Sequence, residues 1–143
     1  MLLAIDVGNT NVTLALFDGE RLVADWRITS HQERTADELA MELGQLFRLR
    51  ELDLALVDGV VIASVVPNLN PALIEVSRRY LKCDPVMVGP GTNTSVTVRY
   101  DNTKDVGANR IAHALAAFTK HGGPNVTRDC GTACTSYPLN PHG

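Results

Sequence analysis

Disulfide chemistry has little to work with in this chain. Its 143 residues include three cysteines, Cys83, Cys130 and Cys134. An odd, scattered set excludes a disulfide framework and reads as reduced thiols. Cys130 and Cys134 would supply only half of a zinc site, and His142 completes it poorly, so thiolate–metal chemistry is set aside. Basic charge is also scarce. Thirteen Lys and Arg stand against sixteen Asp and Glu, a formal net charge of −3, which offers nucleic acid no electrostatic footprint. No uncharged apolar run approaches the roughly 18 residues that a membrane span needs. The N-terminus lacks a basic region and a small-residue cleavage site, and Asp6 interrupts its apolar run early, unlike a signal peptide. These absences lead us to expect a cytoplasmic protein whose partners include neither nucleic acid nor membrane. Repeats of solenoid length and low-complexity linkers are missing as well. What is present, 45% hydrophobic residues in a chain of this length, suffices for one ordinary core.

The apolar pattern starts with period two. Leu2 to Val7 and Val12 to Phe17 read as strands, Asp18 to Glu20 as a hairpin turn, and Leu22 to Ile28 as a third strand, together an antiparallel meander. The period then changes. Thr35-Ala36-Asp37-Glu38 is a capping box, and Leu39, Ala40, Leu43, Leu46 and Phe47 follow at helical spacing, so an amphipathic helix is predicted from 36 to about 49. Gly59 to Val66, a continuous β-branched run, suggests a central strand buried on both faces. Asn70 and Pro71 are read as the N-cap and first residue of a helix reaching Tyr80 and Leu81. Pro85 to Gly89 predicts a short strand. Ile111, Ala114, Leu115 and Phe118 predict a helix over 104–121, stopped by Gly122. The order is βββ-α-β-α-β, then a helix.

Between the first two strands an acid, a glycine and small polar residues interrupt the apolar run: Asp6, Val7, Gly8, Asn9, Thr10, Asn11. Such a loop turns tightly and can offer amides and hydroxyls to an anion. Asp6 at its edge suits a divalent cation held largely through water. An ordinary Asx-Gly hairpin with Asp6 capping the turn explains the same residues. A second copy changes the balance. Asp129-Cys130-Gly131-Thr132 repeats the Asp-x-Gly-polar order, as two loops clamping one nucleotide would. No G-x-x-x-x-G-K-[ST] occurs, so a Walker-type loop is excluded.

In order and spacing, "AIDVGNTN", "TADEL", "SVVP", "VGPGT", "RYDN", "VGANRI" and "GTA" resemble type III pantothenate kinases, of the acetate and sugar kinase, heat-shock ATPase and actin superfamily. The resemblance covers residues 1 to about 135. It implies an α/β actin-like ATPase (ribonuclease H-like) domain with a mixed sheet in βββαβα order. It also implies a first lobe over 1–121, the start of a second over 122–143, and a missing second half of a duplicated fold. The implied activity is transfer of phosphate from ATP to pantothenate, the first step toward coenzyme A, in a homodimer. By the same resemblance Asp6, Val7, Gly8, Asn9, Thr10, Asn11, Val12 and Thr13 hold ATP, with Asp6 toward Mg²⁺, and Thr132 contacts ATP. Asp129 binds a monovalent cation, K⁺ or NH₄⁺. Tyr100, Gly107, Ala108, Asn109 and Arg110 bind pantothenate, with Asn109 at the position of the family's general-base aspartate.

Three features depart from the family pattern. Asn109 has the shape of the aspartate but cannot accept a proton, and general-base assistance is typically worth about 10²–10⁴-fold. Asn125, Thr127 and Arg128 stand where the family has a buried apolar strand, so that strand is expected to be weak or on an edge. "SYPLNPHG" reads as a Pro-rich, patternless end, and the family continues for about another hundred residues. A binding module without turnover, or a decayed fragment, are the rival readings.

Overall fold

The computed structural model describes residues 1–88 and two strands, Asn125–Cys130 and Cys134–Leu139. The chain divides into two compact units, Met1–Met87 and Val88–Gly143. In the first, β1 (Leu2–Val7), β2 (Asn11–Asp18) and β3 (Arg21–Thr29) form the expected meander. They are followed by α1 (Ala36–Arg48), β4 (Gly59–Ser64) and α2 (Asn70–Arg79), and β5 (Val86–Val88) begins at the end of this unit. The sheet order is β3-β2-β1-β4-β5, with β1 antiparallel to β2 and parallel to β4. The sheet is therefore mixed, and β1 is its pivot. Among the described residues no helix is long and apolar enough to cross a membrane.

Alternation decides which face is the core. Leu3, Ile5 and Val7 of β1 lie beside Leu16, Leu14 and Val12 of β2, and all six are buried. Trp26 and Ala24 of β3 extend that face, and Val60 and Ile62 of β4 close it on the other side. The stripe Ala36, Leu39, Ala40, Leu43 and Phe47 packs α1 against the core, with Phe47 stacked on Trp26 at a centroid distance of 4.9 Å. Leu73 and Val76 of α2 join the same cluster. The capping box of α1 is complete: Glu38 N–H donates to the Thr35 hydroxyl at 3.3 Å, and Thr35 N–H to the Glu38 carboxylate at 2.8 Å. Beyond α1, Glu51 adopts φ 56°, while Glu51 and Leu52 N–H donate back to Arg48 and Phe47 carbonyls at 3.0 Å. That is a Schellman stop with a non-glycine in its left-handed position.

Four expectations need correction. β4 ends at Ser64, two residues early. Pro67 keeps Val66 out of helical geometry (φ −120°, ψ 85°), and the Ser64 hydroxyl takes the Val66 N–H at 3.1 Å. Nor is β4 fully buried on both faces, because Val61 is only half-buried. Asn70 does not cap α2. It is already helical (φ −57°, ψ −44°), and its N–H is satisfied by Pro67 O of a preceding 3₁₀ turn, Pro67–Leu69. The chain after residue 133 is not patternless, since β7 (Cys134–Leu139) pairs antiparallel with β6 (Asn125–Cys130). Among the described residues these two strands form a sheet of their own, so each has an open edge, which is where Pro138 can sit. The helix predicted over 104–121 lies outside the described residues.

The β2–β3 ladder has one irregularity. Near the turn, Asp18 pairs with Arg21 and Phe17 with Leu22, but Leu16 pairs with Ala24, leaving Val23 as the extra residue of a β-bulge.

Candidate phosphate-loop site

β1 and β4 run parallel, so their carboxyl ends share one edge of the sheet. From β1 the chain turns to β2 on one side, while β4 flanks β1 on the other. A crevice outside the carboxyl ends at such a reversal is where open α/β sheets bind ligands. The 8–10 loop sits there. Gly8 N–H closes it onto Asn11 O at 2.9 Å, and Ser30 N–H at the end of β3 ties it down through Thr10 O at 2.8 Å. On the β4 side, Val65 N–H donates to Val7 O at 3.0 Å. Gly8 is needed for close approach: a Cβ there would meet Asn11 O at 3.1 Å. Asn9 and Thr10 are exposed at the tip.

Asp6 is a strand residue, paired with Thr13 of β2. Strand alternation turns it away from Ile5 and Val7 onto the second face of the sheet, where it is half-buried. Thr13 lies beside it, Ala63 of β4 on its other flank, and Arg27 of β3 beyond Thr13. Asp6, Thr13 and Arg27 thus form one row across three strands, one position back from the loop. Val7 and Val12, by contrast, face the core at 0% and 4% exposure, so only their backbone can meet a ligand.

Among the described residues no three His, Cys, Asp or Glu side chains converge as a metal cage. One carboxylate beside a hydroxyl is nonetheless the donor set that Mg²⁺ accepts, since it keeps several of its waters. Asp6 fits that ion and would not fit a structural zinc. A depression of about 570 Å³ lies elsewhere in the first unit, lined by Asp53, Val57, Asp58, Tyr80, Leu81 and Cys83 at the amino ends of β1 and β4. Burial pushes the Cys83 thiol above its usual range, which suits a packed thiol and not a nucleophile.

The strands on either side of the second loop repeat one pairing of the first: Asp129 is the penultimate residue of β6, as Asp6 is of β1, and its register partner is likewise a threonine, Thr135. Thr132 lies in the 131–133 loop, outside the described residues, as do Tyr100, Gly107, Ala108, Asn109 and Arg110. Sequence reasoning missed Arg27. Its signal was the flanking pair Trp26 and Ile28, which point inward and so turn Arg27 outward.

Comparison with known proteins gives three results. Residues 2–143 match the family model described as type III pantothenate kinase. Proteins of that name from Geotalea uraniireducens and Moorella thermoacetica are 44% and 43% identical over all 143 residues. The chain spans 56% of the length of each. Among solved structures, a reductive activator for a corrinoid, iron-sulfur protein aligns over 96% of this chain and 29% of its own, with TM-score 0.59 and 13% identity. A protein described as an N-acetylglucosamine kinase of Porphyromonas gingivalis aligns over 100% and 46%, with TM-score 0.54 and 15% identity. A ROK family transcriptional regulator aligns over 99% and 37%, with TM-score 0.51 and 15% identity. An activator, a kinase and a regulator share the architecture, which shows the actin-like ATPase fold class and leaves function to the site.

Proposed function

Because the chain belongs to the type III pantothenate kinase family, we propose that it carries the nucleotide-phosphate side of a pantothenate kinase. The reaction moves the γ-phosphoryl group of ATP to the pantothenate hydroxyl, giving 4′-phosphopantothenate and ADP. The observation that carries this reading is Asp6. It stands in register with Thr13 on the second face, beside a closed glycine loop at the carboxyl ends of β1 and β4.

In such a transfer the hydroxyl oxygen forms a bond to γ-phosphorus while the bond to the ADP oxygen breaks, and the hydroxyl proton needs an acceptor. Catalysis is then mainly positioning and charge neutralisation. Asp6 would hold Mg²⁺, which supplies neutralisation of the phosphate charge. The 8–10 loop would bound the phosphates, with Gly8 allowing the backbone to come close. Asp129 would take K⁺ or NH₄⁺, Thr132 would contact ATP, and Tyr100, Gly107, Ala108 and Arg110 would hold pantothenate. Asn109 orients the hydroxyl but cannot receive its proton. The reading includes a cytoplasmic homodimer. Asn109 also favours a second reading, a module that binds its ligands without turnover.

The test joins this chain to the remaining portion of the Geotalea relative and follows ADP release with potassium, Mg²⁺, ATP and pantothenate. We expect Asp6→Ala to abolish turnover. Asn109→Asp should raise it about 10²-fold or more, with apparent pantothenate affinity within a few-fold. Equal rates for the chimera that keeps Asn109 and for its Asn109→Asp variant would remove the general-base assignment. Turnover that survives Asp6→Ala would remove the phosphate-loop reading.

A further inference from the structure

The second face of the first unit's sheet carries few charges. Ala4, Ala15, Val61 and Ala63 surround Asp6 and Thr13, and Asp25 and Arg27 are the charged groups β3 adds there. Arg27 is the only cation of the described strands on that face, and it is exposed. Its guanidinium makes no hydrogen bond or ion pair among the described residues, as is also true of the exposed helix-end arginines Arg48 and Arg50, whereas Arg21 pairs with Asp18, Arg78 with Asp84 and Arg79 with Glu75. Its position is nevertheless held firmly. Trp26 on one side is buried and stacked on Phe47, and Ile28 on the other packs against the core. The strand cannot rotate Arg27 inward without expelling both neighbours.

We infer that Arg27 is a phosphate-binding residue of this site. The inference rests on the phosphate-loop reading of Asp6 and deepens it. Asp6 and Arg27 are two strand spacings apart, about 10 Å between backbones, with the Thr13 hydroxyl position between them. A carboxylate that holds a hydrated cation and a guanidinium, at opposite ends of one row, bracket a chain of phosphates: the cation neutralises one group and the guanidinium donates to the next. Guanidinium geometry matches phosphate oxygens in a bidentate fork, which an ammonium cannot reproduce. The ligand class is a nucleoside polyphosphate, recognised here through its phosphates.

Calorimetric titration of the 143-residue chain with MgATP, and separately with magnesium tripolyphosphate, tests this. Arg27→Gln should weaken both ligands roughly tenfold or more, the usual range for a charged hydrogen bond. Arg27→Lys should weaken them less. Arg21→Gln, which removes the same charge from the other end of β3, should leave both within twofold. The melting temperature of Arg27→Gln should match that of the parent, and a clear fall would assign Arg27 to the fold instead. If Asp6→Ala loses binding while Arg27→Gln keeps it, Arg27 is a solvated strand residue and the inference fails alone. If the parent does not bind, or Asp6→Ala binds as the parent does, the phosphate-loop reading fails and takes the inference with it.

Discussion

Asp6 and Val7 are adjacent, yet a strand sends one to the candidate site and the other to the core, and the two kinds of residue should answer mutation differently. Phe47, 1% exposed and stacked on Trp26, represents the core. Phe47→Ala should cost about 3–5 kcal/mol, read as a lower urea midpoint, whereas Asp6→Ala should change far less in stability than in nucleotide binding. A Phe47→Ala midpoint within error of the parent's would mean that the Trp26–Phe47 stack is not part of a closed core. At this scale the site was partly legible. Asp6 and Gly8 announced themselves because an acid and a glycine interrupt an apolar run. Arg27 did not, because its neighbours across the sheet depend on the bulge. Counted back from Asp18 and Arg21 without it, Arg27 would fall opposite Val12, on the core face. With Val23 looped out it falls opposite Thr13. A one-residue shift reverses every side chain, and nothing in the residues 21–24 marks where the extra one sits.

The helices show why some boundaries were readable. α1 starts where expected because its cap is written in side chains, Thr35 and Glu38. α2 starts elsewhere because its first N–H groups are met by the backbone of a 3₁₀ turn, which leaves no side-chain signature. The α1 cap also has a pH dependence. The Thr35 N–H, and then the Thr35 hydroxyl, hold the Glu38 carboxyl below the usual carboxylate range. A lowered native pKa means the contribution is complete above the ordinary glutamate pKa and is lost as pH falls through the native value. Thr35→Ala removes the N-cap hydroxyl and should cost about 1 kcal/mol at neutral pH. The part of that deficit due to the hydroxyl's bond to the Glu38 carboxylate should fade on acidification in thermal melts, while the bond from the residue-35 N–H survives the substitution. A deficit that stays constant down through the carboxylate range would show that the hydroxyl does not support the Glu38 carboxylate. A surface cluster also joins the two helices: the Tyr80 hydroxyl donates to Asp37, and Arg79 pairs with both Asp37 and Glu75. Tyr80 is accordingly shifted upward, first by that hydrogen bond.

For the whole molecule, the described core lies between Leu3 and Leu81, inside the first unit. Residues 1–87 should therefore fold alone, with a cooperative urea transition followed by Trp26 fluorescence. A broad, non-cooperative transition would show that the core needs the second unit. Fold class was legible at this scale because the order βββ-α-β-α-β matched over residues 1–88 even where the ends of the elements did not. The strand pairing of 134–139 was not, because Pro138 and the polar residues around it mask a β pattern that a sheet edge tolerates. Both faces of the sheet, the apolar one and the one bearing Asp6, depend on the register of the β2–β3 hairpin, in which Val23 stands outside the ladder. Val23 is slack. The ladder is in step on both sides of it, so the hairpin can shorten by one residue there by straightening, with Trp26 still inward and Arg27 still outward. It has no matching allowance for growth, because one added residue between Ala24 and Trp26 would exchange the two faces. Tolerance to changes of length at this hairpin is thus one-sided.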